Sequence, residues 1–146
     1  MEISNSEFKV DLDSKSKSES KSDSNESNND IIADDSKDGI DFSNLNLSES
    51  LLKGVYLYGF KKPSKIQVEG IKAINTGKDC ILQSQSGTGK TATYLLGVLN
   101  RIEENDKTQG LIITPTRELS LQVHLVASEI SKYSKIRVEL CTGSVN

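Results

Sequence analysis

The chain has 146 residues, 34% of them hydrophobic, and a formal net charge of −3. No apolar run approaches the roughly 18 residues of a membrane span, and the opening MEISNSEFKV is too polar and acidic for a secretory signal. The expectation is a soluble, membrane-free intracellular protein, cytoplasmic or alternatively nuclear.

The charge is unevenly spread. Residues 1 to 41 carry 12 acidic residues and 5 lysines, a net of 5 − 12 = −7, whereas residues 42 to 146 carry 13 basic and 9 acidic residues, a net of +4. The stretch DLDSKSKSESKSDSNESNND, residues 11 to 30, has a single leucine among polar and charged residues. Such a segment cannot bury enough apolar surface to offset its conformational entropy. Residues 1 to 41 are therefore expected to form a disordered, acidic, Ser-rich tail, and residues 42 to 146 the folded body.

In the body, NLSESLLKGVYLYGF predicts a helix capped by Ser48 and stopped by Gly59. Leu51, Leu52, Val55 and Tyr56 recur at helical spacing. A second helix is expected in KPSKIQVEGIKAINTGKD, with Ser64 as cap, Ile66, Ile71 and Ile74 inward, and Gly77 after its end. DCILQ predicts a short buried strand, residues 89 to 104 a third helix, and GLIIT a second strand. PTRELSLQVHLVASEISKY predicts a fourth helix with Pro115 in its first turn, where a missing N–H costs nothing. IRVEL predicts a third strand. Strands alternating with helices imply parallel pairing, hence an α/β sheet. Cys80 and Cys141 lie in short apolar runs and are expected to be buried free thiols.

The stretch SQSGTGKT lies between the first strand and the third helix. The general phosphate-loop pattern is Gly, four residues, then Gly-Lys-Ser/Thr. Here Ser84 stands at the first Gly, followed by Gln85, Ser86, Gly87 and Thr88, then Gly89, Lys90 and Thr91. Gly87 and Gly89 permit a backbone that turns its N–H groups inward. The following helix start favours anions. Lys90 supplies a full charge for the β and γ phosphates, and Thr91 a hydroxyl for Mg²⁺. Upstream, Gln67 offers one acceptor and two donors that match adenine, and Phe60 a flat face for stacking. Taken singly, the Phe reads as core and the Gln as a solvated helix residue; only their combination with the other motifs points to a nucleotide.

Phe42, GFKKPSKIQ, SQSGTGKT and PTREL occur in an order and spacing that resemble the DEAD-box RNA helicases, nearest the translation initiation factor four-A group. The resemblance covers residues 42 to 146. It implies a three-layer RecA-like domain, here with its first three strands, and an ATP-dependent RNA helicase with ATP and Mg²⁺ as cofactors. It implies that Gln67 bonds adenine, Phe60 stacks on it, Phe42 supports it, and Pro63 belongs to the same ATP-binding set. A small residue at Ser84 then replaces the general Gly; Ser there also resembles the exon-junction branch. Pro115, Thr116 and Arg117 match a motif that contacts the RNA backbone without reading sequence, and Gly143 with Ser144 resemble a further backbone contact. Translation-initiation or exon-junction proteins are the implied partners.

No Asp-Glu-Ala-Asp occurs in the chain, so no catalytic residue is assigned and the 146 residues are expected to be inactive alone, as the N-terminal part of a longer enzyme. Two alternatives stand beside this reading. One is another phosphate-loop NTPase, although no Asn-Lys-x-Asp guanine-reading tetrapeptide is present. The other is a non-catalytic segment that binds nucleotide or a partner.

Overall fold

The computed structural model describes residues 8 to 11, 39 to 103 and 105 to 143. In chain order these form β1 (Phe8–Asp11), a 3-10 turn (Phe42–Leu45), α1 (Glu49–Tyr58), α2 (Lys65–Asn75), β2 (Cys80–Gln83), α3 (Lys90–Leu99) and α4 (Arg117–Ser131). The helices follow the apolar periodicity. In α1, Ser48 accepts from the Leu51 N–H at 3.4 Å, and Gly59 ends the helix at φ 107°. Gly77 follows α2 at φ 77°, as its position predicts.

One core joins the 3-10 turn to the helices. Phe42, Leu51, Val55, Ile71, Leu96 and Ile130 are buried within it. Full burial of a side chain such as Phe42 contributes about 1.5–3 kcal/mol. Helix α1 packs against α4 closely enough that a Cβ on Gly54 would stand 1.8 Å from the Ile130 carbonyl oxygen. Only a residue without a side chain fits that crossing. Helix α3 stops at Leu99 rather than running to residue 104; beyond it the Arg101 and Ile102 N–H groups turn to the Val98 and Leu99 carbonyls, and the Asn100 side chain reaches away from the helix. Its amide donates to the Asn46 carbonyl at 3.0 Å and accepts from the Ser48 N–H at 3.0 Å. It thereby ties the end of α3 to the entry of α1.

The sheet departs most from expectation. Of the three expected strands only Cys80–Gln83 is one, and its partner is β1, which pairs with it in parallel. Residues 8 to 11 are thus a strand and not part of a disordered tail. Their alternation of Phe8, Lys9, Val10 and Asp11 is the two-residue period of a strand, lodged in a polar context that masks it. The rest of the expected tail up to residue 38, residues 1 to 7 and 12 to 38, lies outside the described residues. The body begins slightly earlier than residue 42, since Ile40 packs on the core and Asp41 caps the 3-10 turn.

Residues 110 to 114 and 136 to 140 run as irregular segments with no ladder among the described residues. Ile112, Ile136 and Val138 rest against core residues, but Leu111 is 82% exposed and Ile113 84%. Both segments border an open cavity of about 340 Å³. Side-chain packing on one face does not supply the backbone partners that make a strand. Two smaller expectations also change. Pro115 precedes the N-cap Thr116 and lies outside α4, and Cys141 is exposed while Cys80 is half-buried, both as free thiols.

Candidate nucleotide-binding site

The site is assembled from the start of α2 and the turn between β2 and α3. Ser64, Lys65, Ile66 and Gln67 spell the Ser-x-x-Gln of a helix start. The Gln67 side-chain oxygen accepts from the Ser64 N–H at 2.9 Å, which places this 4% exposed amide on the first turn of α2. A second lone pair on that oxygen and the amide donors remain for other partners. The Ser64 hydroxyl donates to the Thr88 carbonyl at 2.8 Å. The amide of Gln67 also lies over Gly89, where a Cβ would meet its nitrogen at 2.6 Å. Gly89 therefore needs to be glycine twice over, for its φ of 98° and for the space that Gln67 fills.

The loop itself is closed by its own side chains. The Ser84 and Thr88 hydroxyls are 2.6 Å apart, and Thr88 also donates to the Gln85 carbonyl at 2.9 Å. The Lys90 ammonium folds back to donate to the Ser84 carbonyl at 2.6 Å and to that of Gln85. Gly87, at φ 80°, turns the exposed tip formed with Gln85 and Ser86. Gly89 is the N-cap of α3, so the N–H groups of Lys90, Thr91 and Ala92 open the helix without intrahelical acceptors. A single amphipathic helix start thus gathers one ammonium, several N–H groups and the Thr91 hydroxyl. That donor set fits a polyphosphate with a hard divalent cation.

The aromatic residues form a second cluster. Phe42, fully buried, meets Phe60 at 6.0 Å between ring centres and Tyr56 edge-on at 6.3 Å. Phe60 is half-buried and lies 5.2 Å from the Tyr58 ring. Phe42 thus backs Phe60, and the buried Pro63 lies between Phe60 and the start of α2. The Tyr56 hydroxyl donates to the Asp41 carboxylate. That bond, followed by the Ser43 N–H, holds the Asp41 carboxyl below its usual range, and the same bond pushes the Tyr56 phenol up. Burial, and then the neighbouring Asp79, push the Cys80 thiol up, so the strand feeding the loop carries a protonated thiol.

The expected backbone-binding residues stand apart. Thr116 caps α4, accepting from the Leu119 N–H at 3.2 Å, and its hydroxyl keeps a proton to donate. Pro115 and Arg117 flank it, both exposed. Gly143 is exposed with open space around it, and Ser144 lies outside the described residues. Two features were not anticipated as site elements: the Ser64–Thr88 bond, and the Asp41–Tyr56 pair beside the aromatic cluster. The first was half legible, because the Ser-x-x-Gln signature fixes how Gln67 faces its own helix start.

A family model described as DEAD/DEAH box helicase matches residues 64–146, more than half of the sequence. The chain belongs to the DEAD/DEAH box helicase family. It is 47% identical over 106 residues to the ATP-dependent RNA helicase eIF4A of Mycosarcoma maydis, covering 72% of this chain and 26% of that protein. It is 46% identical over 106 residues to the ATP-dependent RNA helicase FAL1 of Candida albicans, covering 72% and 27%. Among solved structures it resembles S. cerevisiae Dbp5 bound to RNA and ADP BeF3, with a TM-score of 0.64 at 42% identity over 66% of this chain and 25% of that one. A DEAD box protein from Methanococcus jannaschii matches with a TM-score of 0.59 at 34% identity, covering 62% and 25%. The chain therefore spans about a quarter of the length of the curated relatives it matches. These helicase neighbours and the βα elements around the loop establish an α/β fold.

Proposed function

We propose that this chain provides the nucleotide-holding part of an ATP-dependent RNA helicase, on a three-layer RecA-like domain. The observation that carries the reading is the junction of two segments far apart in sequence: Ser64 bonds the phosphate loop at Thr88, and Gln67 fills the space over Gly89. A group that can read adenine is therefore fixed at the base of a group that can hold phosphates.

In this reading ATP lies with its base against Phe60, its amino edge at Gln67 and its phosphates over residues 84 to 91. The Ser84 and Gln85 carbonyls that Lys90 now meets give way to phosphate oxygens, a stronger charge-assisted pairing. Thr91 would hold Mg²⁺, which supplies charge neutralisation for the phosphates when bound. The support includes Dbp5, whose solved complex holds RNA and ADP BeF3. Thr116 and Arg117, with Gly143 and Ser144, grip RNA by phosphate and sugar without reading sequence. Relatedness to eIF4A favours translation initiation and the cytoplasm; exon-junction assembly is the narrower alternative.

Displacement of a fluorescent ADP by ATP tests the reading. Lys90→Ala should weaken ATP binding roughly tenfold to a hundredfold, the loss of a hydrogen bond to a charged group. Unchanged affinity would remove the phosphate loop from the site. Because no Asp-Glu-Ala-Asp occurs in the chain, the 146 residues should bind without appreciable phosphate release.

A further inference from the structure

On the reading that ATP lies with its base against Phe60, we propose that Tyr56 is a positioning residue for the adenine end of the site: its bond to Asp41 sets the angle of the turn that carries Phe42, the ring on which Phe60 rests. The Tyr56 hydroxyl donates to the Asp41 carboxylate across 15 residues of chain. That carboxylate is itself fixed on the 3-10 turn, where it accepts from the Ser43 N–H at 3.2 Å while the Asp41 N–H donates to the Asn44 side-chain oxygen at 2.9 Å. Phe42 follows directly in the chain.

Tyr56 reaches Phe60 by two routes. Through the backbone, its carbonyl accepts from the Gly59 N–H at 3.1 Å, and the Phe60 N–H donates to the Val55 carbonyl at 3.2 Å, so Phe60 hangs from the last turn of α1. Through the side chains, the Tyr56 ring meets Phe42 edge-on at 6.3 Å and Phe42 meets Phe60 at 6.0 Å. Phe42 and Leu45 are buried, so the core holds the turn whether or not the bond forms. Hydrophobic burial is non-directional, however, whereas a hydrogen bond has a preferred angle. Tyr56 is exposed, so water can satisfy its hydroxyl and burial does not account for the bond. What the bond adds is orientation: it locks the turn to the helix end from which Phe60 projects.

Calorimetric titration of the full chain with ADP and with inorganic pyrophosphate separates the adenine end from the phosphate loop. Tyr56→Phe keeps the ring and removes the hydroxyl. It should weaken ADP binding about threefold, the scale of one exposed hydrogen bond, and leave pyrophosphate unchanged. Asp41→Ala should produce the same loss, and the two together no more than either alone. Asp41→Asn keeps an oxygen that accepts from both Tyr56 and Ser43, so it should hold ADP near the parent affinity. ADP binding untouched by Tyr56→Phe, an equal loss of pyrophosphate, or additive losses in the double variant would each overturn the positioning role. If the parent binds ADP no more tightly than pyrophosphate, the adenine-site reading itself fails and the role falls with it. A parent that favours ADP but is indifferent to Tyr56→Phe contradicts the role alone.

Discussion

The two ends of this domain are built differently. Around Gln67 and the phosphate loop, most key groups are held by a partner close in sequence, Ser64 to Gln67, Ser84 to Thr88 and Lys90 to Ser84, and the Ser64–Thr88 bond joins the two segments. Around residues 110 to 114 and 136 to 143, side chains touch the core on one face while the backbone has no ladder among the described residues, and Leu111 and Ile113 stand in solvent. Caps and loops close within a few residues, so a short sequence can complete them. A sheet requires partners from distant segments, and its order depends on all of them being in place.

The contrast is most sharply exposed by paired core and edge substitutions. Phe42→Ala should cost about 3–5 kcal/mol, since it empties a fully buried site between Tyr56 and Phe60. Leu111→Asp should change stability by no more than about 0.5 kcal/mol, as expected for an exposed side chain. Denaturant melts of the two variants check both figures. A large loss from Leu111→Asp would show that residues 110 to 114 are paired in a sheet, and the contrast between the two ends would fail.

A smaller effect concerns pH. The Asp41 carboxyl is held low by Tyr56 and the Ser43 N–H, so its contribution is present above the ordinary carboxylate pKa and is lost as pH falls through the lowered value. Tyr56→Phe should remove most of that acid-side dependence. Tyr56 is the reverse case: its raised pKa adds stability below the ordinary phenol value, lost as pH rises through the raised one. Acid titration of thermal stability in the parent and in Tyr56→Phe measures the difference. Identical profiles would show that the Asp41–Tyr56 bond contributes nothing to stability in acid.

Much of this was legible in the residues. Ser48, Gly59, Ser64 and Gly77 mark helix boundaries because caps and left-handed stops are local chemistry. Gln67, which taken singly reads as a solvated helix residue, is instead 4% exposed and packed over Gly89, a long-range contact. What failed was non-local. At the early end of α3 the Asn100 side chain bonds residues some fifty positions upstream, which no window of sequence reveals. GLIIT and IRVEL have strand-like composition, but composition does not supply a ladder. The strand at Phe8–Asp11 lies among polar neighbours that mask its alternation, and its partner is some seventy residues away.

In the proposed function the start of α2 and the phosphate loop form one adenine-nucleotide site. Competition of ATP against GTP for a bound fluorescent ADP, in the parent chain and in Gln67→Glu, tests it most directly. Gln67→Glu keeps an acceptor for the Ser64 N–H and removes the amide donors, so the helix start should survive. The prediction is a clear preference for ATP in the parent that shrinks in Gln67→Glu while phosphate binding persists. A parent that takes GTP as readily as ATP, or a preference untouched by the substitution, would contradict the claim.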